Sequence, residues 1–141
     1  MREEDERVLL AHREDVWALV SEPFHLPDWW PGYTGVEPDR RGLGENARWK
    51  VVRARRPGLL RKPLGTGLIV IRRVVPGSEL TWHDLAQKLD MGVRLEGEGR
   101  QTKATAWVEG PTWRFYAEGA RSLPQHALAR LHDLCQTASV L

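Results

Sequence analysis

Residues 8–33, VLLAHREDVWALVSEPFHLPDWWPGY, hold the succession of short elements that decides the fold. Residues 6–12 are typical of a strand, and residues 13–20 carry apolar side chains at near-helical spacing. Pro23 ends that helix, because a proline ring cannot continue the helical hydrogen-bond ladder. A second short helix is predicted over residues 23–30, before a Pro-Gly pair ends it. The stretch therefore predicts a strand followed by two short helices, the second of which is rich in tryptophan.

Beyond this stretch, alternating apolar and polar residues indicate half-buried strands separated by turns rich in glycine. Gly97-Glu98-Gly99-Arg100 is typical of a hairpin turn between two of these strands. Their short connections favour antiparallel pairing of consecutive strands. The predicted strands are residues 36–40, 47–53, 67–75, 79–85, 89–97 and 102–109.

The last predicted element is a long helix that starts at Ser122, a residue suited to an N-cap, with Gln125 at the capping-box position. Its apolar stripe should lie on the sheet, and consists of Leu123, Ala127, Leu128, Leu131, Leu134 and Cys135. Strands followed by one long helix give an α+β order. Because a twisted sheet curves, a single helix laid across it does not fill the whole concave side. We therefore predict an apolar cavity between sheet and helix.

The composition predicts one globular domain over residues 1–141, with 41% hydrophobic and 28% charged residues. A net charge of +2 argues against a nucleic-acid partner, which would need a clustered basic surface. Cys135 is the only cysteine, and the five histidines lack metal-ligand spacing, so we expect neither a disulfide, a metal nor a cofactor. No signal peptide or membrane-spanning run is evident, which predicts a soluble, cytoplasmic protein without stable membrane insertion.

The quoted stretch resembles the N-terminal signature of the START-related, polyketide cyclase/dehydrase-like superfamily (SRPBCC), which includes the birch-pollen-allergen-like proteins. The resemblance rests on the strand, the helix with Val16-Trp17 at its centre, the proline-containing break and the Trp29-Trp30 pair. The later order of elements also fits, so it covers nearly all of the chain. It implies the helix-grip fold, a curved seven-stranded antiparallel sheet around a long C-terminal helix, with two short helices after the first strand. It implies no catalytic residue, because no single catalytic motif defines the superfamily.

The candidate ligand-binding residues are those that alternation would place on the concave side of the sheet, together with one residue of the terminal helix. Because a one-residue register shift would turn a strand over, the set depends on the register. Trp29 and Trp30 either border the mouth of the cavity or anchor the second helix to the sheet. The predicted ligand-binding residues are Trp30, Trp49, Val51, Val70, Trp82, Met91, Val93, Leu95, Trp107 and Leu128.

Asp84 is the candidate catalytic residue, since alternation places it on the same face as Trp82. A carboxyl group in an apolar cavity is a candidate general acid or base, with Arg53 or Arg72 as its charged partner. The alternative is that Asp84 lies near a strand end, either solvated or paired with a surface arginine. His83 points the other way, so the two residues form no His–Asp couple.

The basic segment over residues 55–63 places four cations around Leu59-Leu60. It could admit a ligand, hold an anionic group or touch an acidic membrane surface, or it could be a solvated hairpin tip.

Three functions follow from these patterns. The first is binding of a small hydrophobic molecule, lipid-like or polyketide-like, in the cavity by a monomer or a homodimer. The second is a cyclase/dehydrase-like enzyme that uses Asp84 for proton transfer. The third is a non-catalytic module that binds a protein, which a filled interior and a large exposed apolar patch would favour.

Overall fold

The computed structural model describes residues 1–53, 65–117 and 119–140. The predicted basic segment at residues 55–63 lies outside the described residues. The strands are β1 (Arg2–Leu9), β2 (Tyr33–Glu37), β3 (Arg48–Arg53), β4 (Thr66–Val75), β5 (Glu79–Asp84), β6 (Leu89–Glu98) and β7 (Gln101–Glu109). The helices are α1 (Arg13–Ser21), α2 (Leu26–Trp29), α3 (Thr112–Ala117) and α4 (Leu123–Val140), with single 3₁₀ turns at Pro23–His25 and Ala120–Ser122.

The seven strands form one antiparallel sheet in the order β1-β7-β6-β5-β4-β3-β2. Helix α4 packs against β1 and β7, and α2 packs against β2 and α4. The helix-grip architecture predicted from the sequence is confirmed: a seven-stranded antiparallel sheet, a long C-terminal helix, and two short helices after the first strand.

The prediction for β1 was wrong at both ends. The strand starts at Arg2 rather than residue 6 and ends at Leu9, and His12 is already the N-cap of α1. Acidic residues are uncommon in strands, so the sequence Glu3-Glu4-Asp5-Glu6 argued against one. The sheet overrides this preference because all eight residues of β1 pair with β7, from Arg2 opposite Glu109 to Leu9 opposite Thr102.

The core lies between the concave face of the sheet and helices α1, α2 and α4. Residues that lie directly opposite each other on neighbouring antiparallel strands point to the same face of the sheet. The register therefore aligns the inward-facing residues in rows that cross the strands. One such row runs from Ile69 to Asp84 to Leu89, and another from Ile71 to Trp82 to Met91. Every residue named in these rows is at most 1% exposed.

Candidate functional site

Eight of the ten predicted ligand-binding residues face the interior. Seven come from the sheet and from the end of α2, and Leu128 comes from α4. The seven are Trp30, Trp49, Val51, Trp82, Met91, Val93 and Leu95. These side chains are at most 2% exposed, so they pack against one another. A guest molecule would have to displace some of them, and the predicted cavity stays a prediction.

The other two predictions, Val70 and Trp107, were wrong about the face of the sheet. Val70 lies opposite His83, between the inward-facing Ile69 and Ile71, and therefore points outward. Around Val70 the sequence of β4 is apolar on both sides, so alternation was not visible there.

Trp107 lies opposite Gly92 on the outer face, where its ring covers the glycine. The Arg2 guanidinium sits 5.1 Å from the centre of the Trp107 ring. The residue is only 7% exposed because Gly92 leaves room for the ring to lie flat against the sheet.

Three tryptophans form an aromatic cluster inside the fold. The ring of Trp30 is 5.0 Å from that of Trp82, and the ring of Trp29 is 5.8 Å from Trp30 and 5.9 Å from Trp82. All three pairs are edge-to-face, which is a favoured geometry for aromatic rings. The cluster joins the end of α2 to the centre of the sheet, so Trp29 and Trp30 do anchor this helix.

Asp84 is fully buried beside this cluster. Its Oδ2 accepts a hydrogen bond from the Tyr33 hydroxyl at 2.8 Å. Its Oδ1 accepts from the backbone N–H groups of Ala86 at 3.0 Å and Gln87 at 2.9 Å. The carboxyl group is therefore inside the fold, as predicted, and it also closes the turn from β5 to β6. Asp84 is the last residue of β5, as the alternative stated, but it is buried rather than solvated.

The two arginines proposed as partners of Asp84 differ in position. Arg72 is exposed and lies at a register shift between Ile71 and Arg73, away from the interior row. Arg53 is half-buried and lies opposite Tyr33 on the neighbouring strand. Its positive charge lowers the pKa of Tyr33.

Tyr33 is the main site residue that the sequence analysis missed. Burial raises the pKa of its phenol well above 10, and the charge of Asp84 raises it further. Hydrogen bonding from Trp82 and the charge of Arg53 oppose this rise in the pKa. The phenol therefore keeps its proton and donates a hydrogen bond to Asp84, while its oxygen accepts one from Trp82 Nε1 at 3.3 Å. No pattern in the sequence indicates this contact, because the two residues are 51 positions apart.

Two indole N–H groups of the cluster lack a hydrogen-bond acceptor among the described residues, those of Trp29 and Trp30. Both residues are 0% exposed. A buried donor without a partner costs roughly 1–3 kcal/mol. By contrast, Trp49 Nε1 donates to the Gly42 carbonyl at 2.6 Å. The interior thus holds two unpaired donors in the same aromatic cluster as Trp82, whose own N–H donates to Tyr33.

No family model matches the chain, and no curated protein matches it in sequence. Solved structures match it in fold. A START superfamily protein from Mycobacterium smegmatis has a TM-score of 0.72 at 11% identity, over 97% of this chain and 98% of that one. The di-domain ARO/CYC BexL from the BE-7585A biosynthetic pathway has a TM-score of 0.69 at 15% identity, over 94% of this chain and 45% of that one. The Aha1 dimer from Colwellia psychrerythraea has a TM-score of 0.66 at 15% identity, over 94% of each chain.

These matches show that the chain has the START-like, SRPBCC fold, in agreement with the resemblance in its sequence. Identities of this size show the fold alone.

Within the described ranges, no group of three or more histidine, cysteine, aspartate or glutamate side chains could hold a metal ion. None of the helices described is long and apolar enough to cross a membrane.

Proposed function

We propose that the protein binds a small, mainly apolar molecule, lipid-like or polyketide-like, between the sheet and α4. The fold supports this proposal, because helix-grip proteins enclose an interior between a curved sheet and a helix. The observation that carries it is the pair of buried, unpartnered N–H groups of Trp29 and Trp30. A ligand that carries a carbonyl or ether oxygen can accept from such a donor and remove the cost of leaving it unpaired.

Helix α2, with its two tryptophans, is the part of the interior lining that would move to admit a ligand. The helix has only four residues, and a side-chain hydrogen bond from Arg130 to the Pro27 carbonyl, at 3.4 Å and exposed, links it to α4. A helix this short has little stability of its own and depends on its packing. Outward movement of α2 would shift both indoles and expose apolar surface of Trp82 and Met91 to the guest.

The experiment is native mass spectrometry of the purified protein with lipid and polyketide extracts, followed by titration with any molecule recovered. Trp29→Phe and Trp30→Phe keep an aromatic ring and remove the N–H donor. Each should weaken binding by roughly five-fold or more, which corresponds to a lost hydrogen bond of about 1 kcal/mol.

Trp107→Phe is the matched control, since its ring lies on the outer face of the sheet, against Gly92. It should lower the free energy of unfolding but leave the affinity unchanged. Recovery of no bound molecule, or equal loss of affinity in all three variants, would refute the proposal.

The buried Tyr33–Asp84 pair favours a second candidate, a cyclase/dehydrase-like enzyme that moves protons on a bound polyketide-like substrate. In this role Asp84 would act as the general base after the substrate displaces the Tyr33 hydroxyl. Asp84→Asn keeps the size of the side chain and an acceptor for the turn. Full turnover by a folded Asp84→Asn variant would exclude this candidate while leaving the binding proposal untouched.

A further inference from the structure

The polar groups around the aromatic cluster are unevenly divided between donors and acceptors. The indole N–H groups of Trp29 and Trp30 have no acceptor among the described residues. Both carboxyl oxygens of Asp84 already accept hydrogen bonds, one from the Tyr33 hydroxyl and the other from two backbone N–H groups. The interior therefore has donors to spare, whereas the oxygens of its carboxyl group are in use.

The charge of the interior is equally one-sided. Asp84 is the one charged side chain among the described residues that are buried. None of the described lysines, arginines and histidines is buried. The phenol of Tyr33 and the two backbone N–H groups stabilise the carboxylate by hydrogen bonds in place of a buried cation. A guest inside the fold would thus meet a negative charge and no positive charge at the same depth.

Arg53 is the cation whose charge reaches this region from the side. It is half-buried on β3, opposite Tyr33. Burial is the largest cause of the raised pKa of Tyr33, and of the two charges Asp84 raises this pKa by more than Arg53 lowers it. The electrostatic field at the phenol is therefore negative on balance.

Trp82 connects the unpaired donors to this charge. Its ring is 5.0 Å from the ring of Trp30 and 5.9 Å from that of Trp29. Its Nε1 donates to the Tyr33 oxygen at 3.3 Å, and the Tyr33 hydroxyl donates to Asp84 at 2.8 Å. A guest that accepts a hydrogen bond from Trp29 or Trp30 therefore comes close to the buried carboxylate.

We infer that the interior selects an uncharged molecule whose polar end is an acceptor oxygen, as in a ketone, an ester or an ether, and excludes the free carboxylate of a fatty acid. This selectivity rests on the proposed function and narrows the class of its ligand. A neutral oxygen accepts from an indole N–H without bringing a charge into the fold. A carboxylate would lose its water, meet no buried cation and face Asp84. An ammonium group offers only donors, where donors are already in excess.

The test compares two probes with the same chain, dodecanoate and its methyl ester, by titration of the purified protein at pH 7 with tryptophan fluorescence as the signal. The ester keeps the carbonyl group and lacks the charge. It should bind at least about ten-fold tighter than dodecanoate, because the charge loses its hydration inside the fold. A carboxyl group of pKa about 4.3 can take up a proton at pH 7 for a roughly 500-fold loss of affinity, which sets the upper limit of the difference. Dodecylammonium, the third probe, should also bind more weakly than the ester.

Asp84→Asn and Asp90→Asn form a matched pair, since each removes one negative charge. Asp90 is exposed on the outer face of β6, where it pairs with His83 at 2.9 Å. Asp84→Asn should reduce the preference for the ester at least about five-fold by strengthening the binding of dodecanoate. Asp90→Asn should leave the preference unchanged. The comparison of the probes on the wild-type protein needs no variant, so it decides the matter even if Asp84→Asn does not fold.

The outcomes separate this selectivity from the proposed function. Binding of dodecanoate or dodecylammonium as tightly as the ester, or equal effects of the two aspartate variants, would overturn the selectivity and leave the interior site intact. A molecule recovered from extracts that carries a carboxylate, phosphate or ammonium group would do the same. Absence of binding by all three probes, together with recovery of no molecule, would refute the interior site and the selectivity with it.

Discussion

Replacing Gly92 with alanine tests the register of the central strands and the position of Trp107 together. A β-carbon at Gly92 would overlap the Trp107 ring, lying 2.7 Å from Cε2 and 2.9 Å from Cη2 as well as closer still to Cζ2. Real β-carbons do not approach other carbon atoms that closely, and an indole ring cannot bend away. Either the ring must leave its place on the outer face or the two strands must shift.

The expected loss of stability can be judged from the effect of overpacking in other proteins. Added methyl groups in well-packed regions typically cost about 1–3 kcal/mol. Here the new β-carbon would overlap three atoms of a rigid ring, so we expect the free energy of unfolding to fall by about 3 kcal/mol. For a chain of 141 residues this corresponds to a fall in the melting temperature of about 10 °C.

The assay is equilibrium unfolding in urea of the wild type, Gly92→Ala and Gly97→Ala. Gly97 lies on the same strand, and a β-carbon there would have no atom within 4 Å. Gly97→Ala should therefore be neutral or slightly stabilising, because alanine reduces the entropy of the unfolded chain. In the double variant Gly92→Ala/Trp107→Leu, part of the loss should be recovered, since the ring that blocks the β-carbon is gone. Equal stability of Gly92→Ala and Gly97→Ala would refute the register.

Further predictions concern the buried phenol and an exposed acid. Tyr33→Phe should lower the free energy of unfolding by about 1–3 kcal/mol in urea titrations at pH 7, because Asp84 loses a donor and Trp82 loses an acceptor. Because the folded-state pKa of Tyr33 is raised, its share of the stability is complete below about pH 10 and is lost as the pH rises through the folded value. The difference between wild type and Tyr33→Phe should therefore shrink above pH 10, and a constant difference would contradict the burial argument. Asp39 accepts hydrogen bonds from the backbone of Arg48 and Arg41, the first of which lowers its pKa most. Asp39→Asn should be less stable at pH 7, and its stability should approach that of the wild type as the pH falls below 3.8 through the folded-state pKa.

The inward side of the strands could be predicted where one face was polar. On β5 the sequence alternates, and Leu80, Trp82 and Asp84 all lie in the interior as expected. On β7, Trp107 stands in the outward row with Lys103, Thr105 and Glu109, so alternation did point to the outer face, although the apolar ring was predicted to face the interior. The deciding feature is the lack of a side chain at Gly92, which only the register brings opposite the ring.

The site was predictable in part. The burial of Asp84 followed from the alternation of residues along β5, but the groups that donate hydrogen bonds to its carboxyl group could not be predicted in this way. Tyr33 reaches it across the sheet, and the two backbone N–H groups come from a turn whose geometry the sequence does not specify. The unpartnered N–H groups of Trp29 and Trp30 could not be predicted either, because hydrogen bonding depends on distances of a few tenths of an ångström.

The first strand has a consequence for how copies of this protein behave at high concentration. Strand β1 is at one margin of the sheet, and its acidic side chains are mostly exposed. If a second molecule aligned its own β1 there, the acidic runs Glu3-Glu4-Asp5-Glu6 of the two copies would repel each other. Neutralising Glu4 and Asp5 together would leave only Glu3 and Glu6 and so weaken this repulsion, and concentrated solutions of such a variant should form ordered aggregates more readily than the wild type.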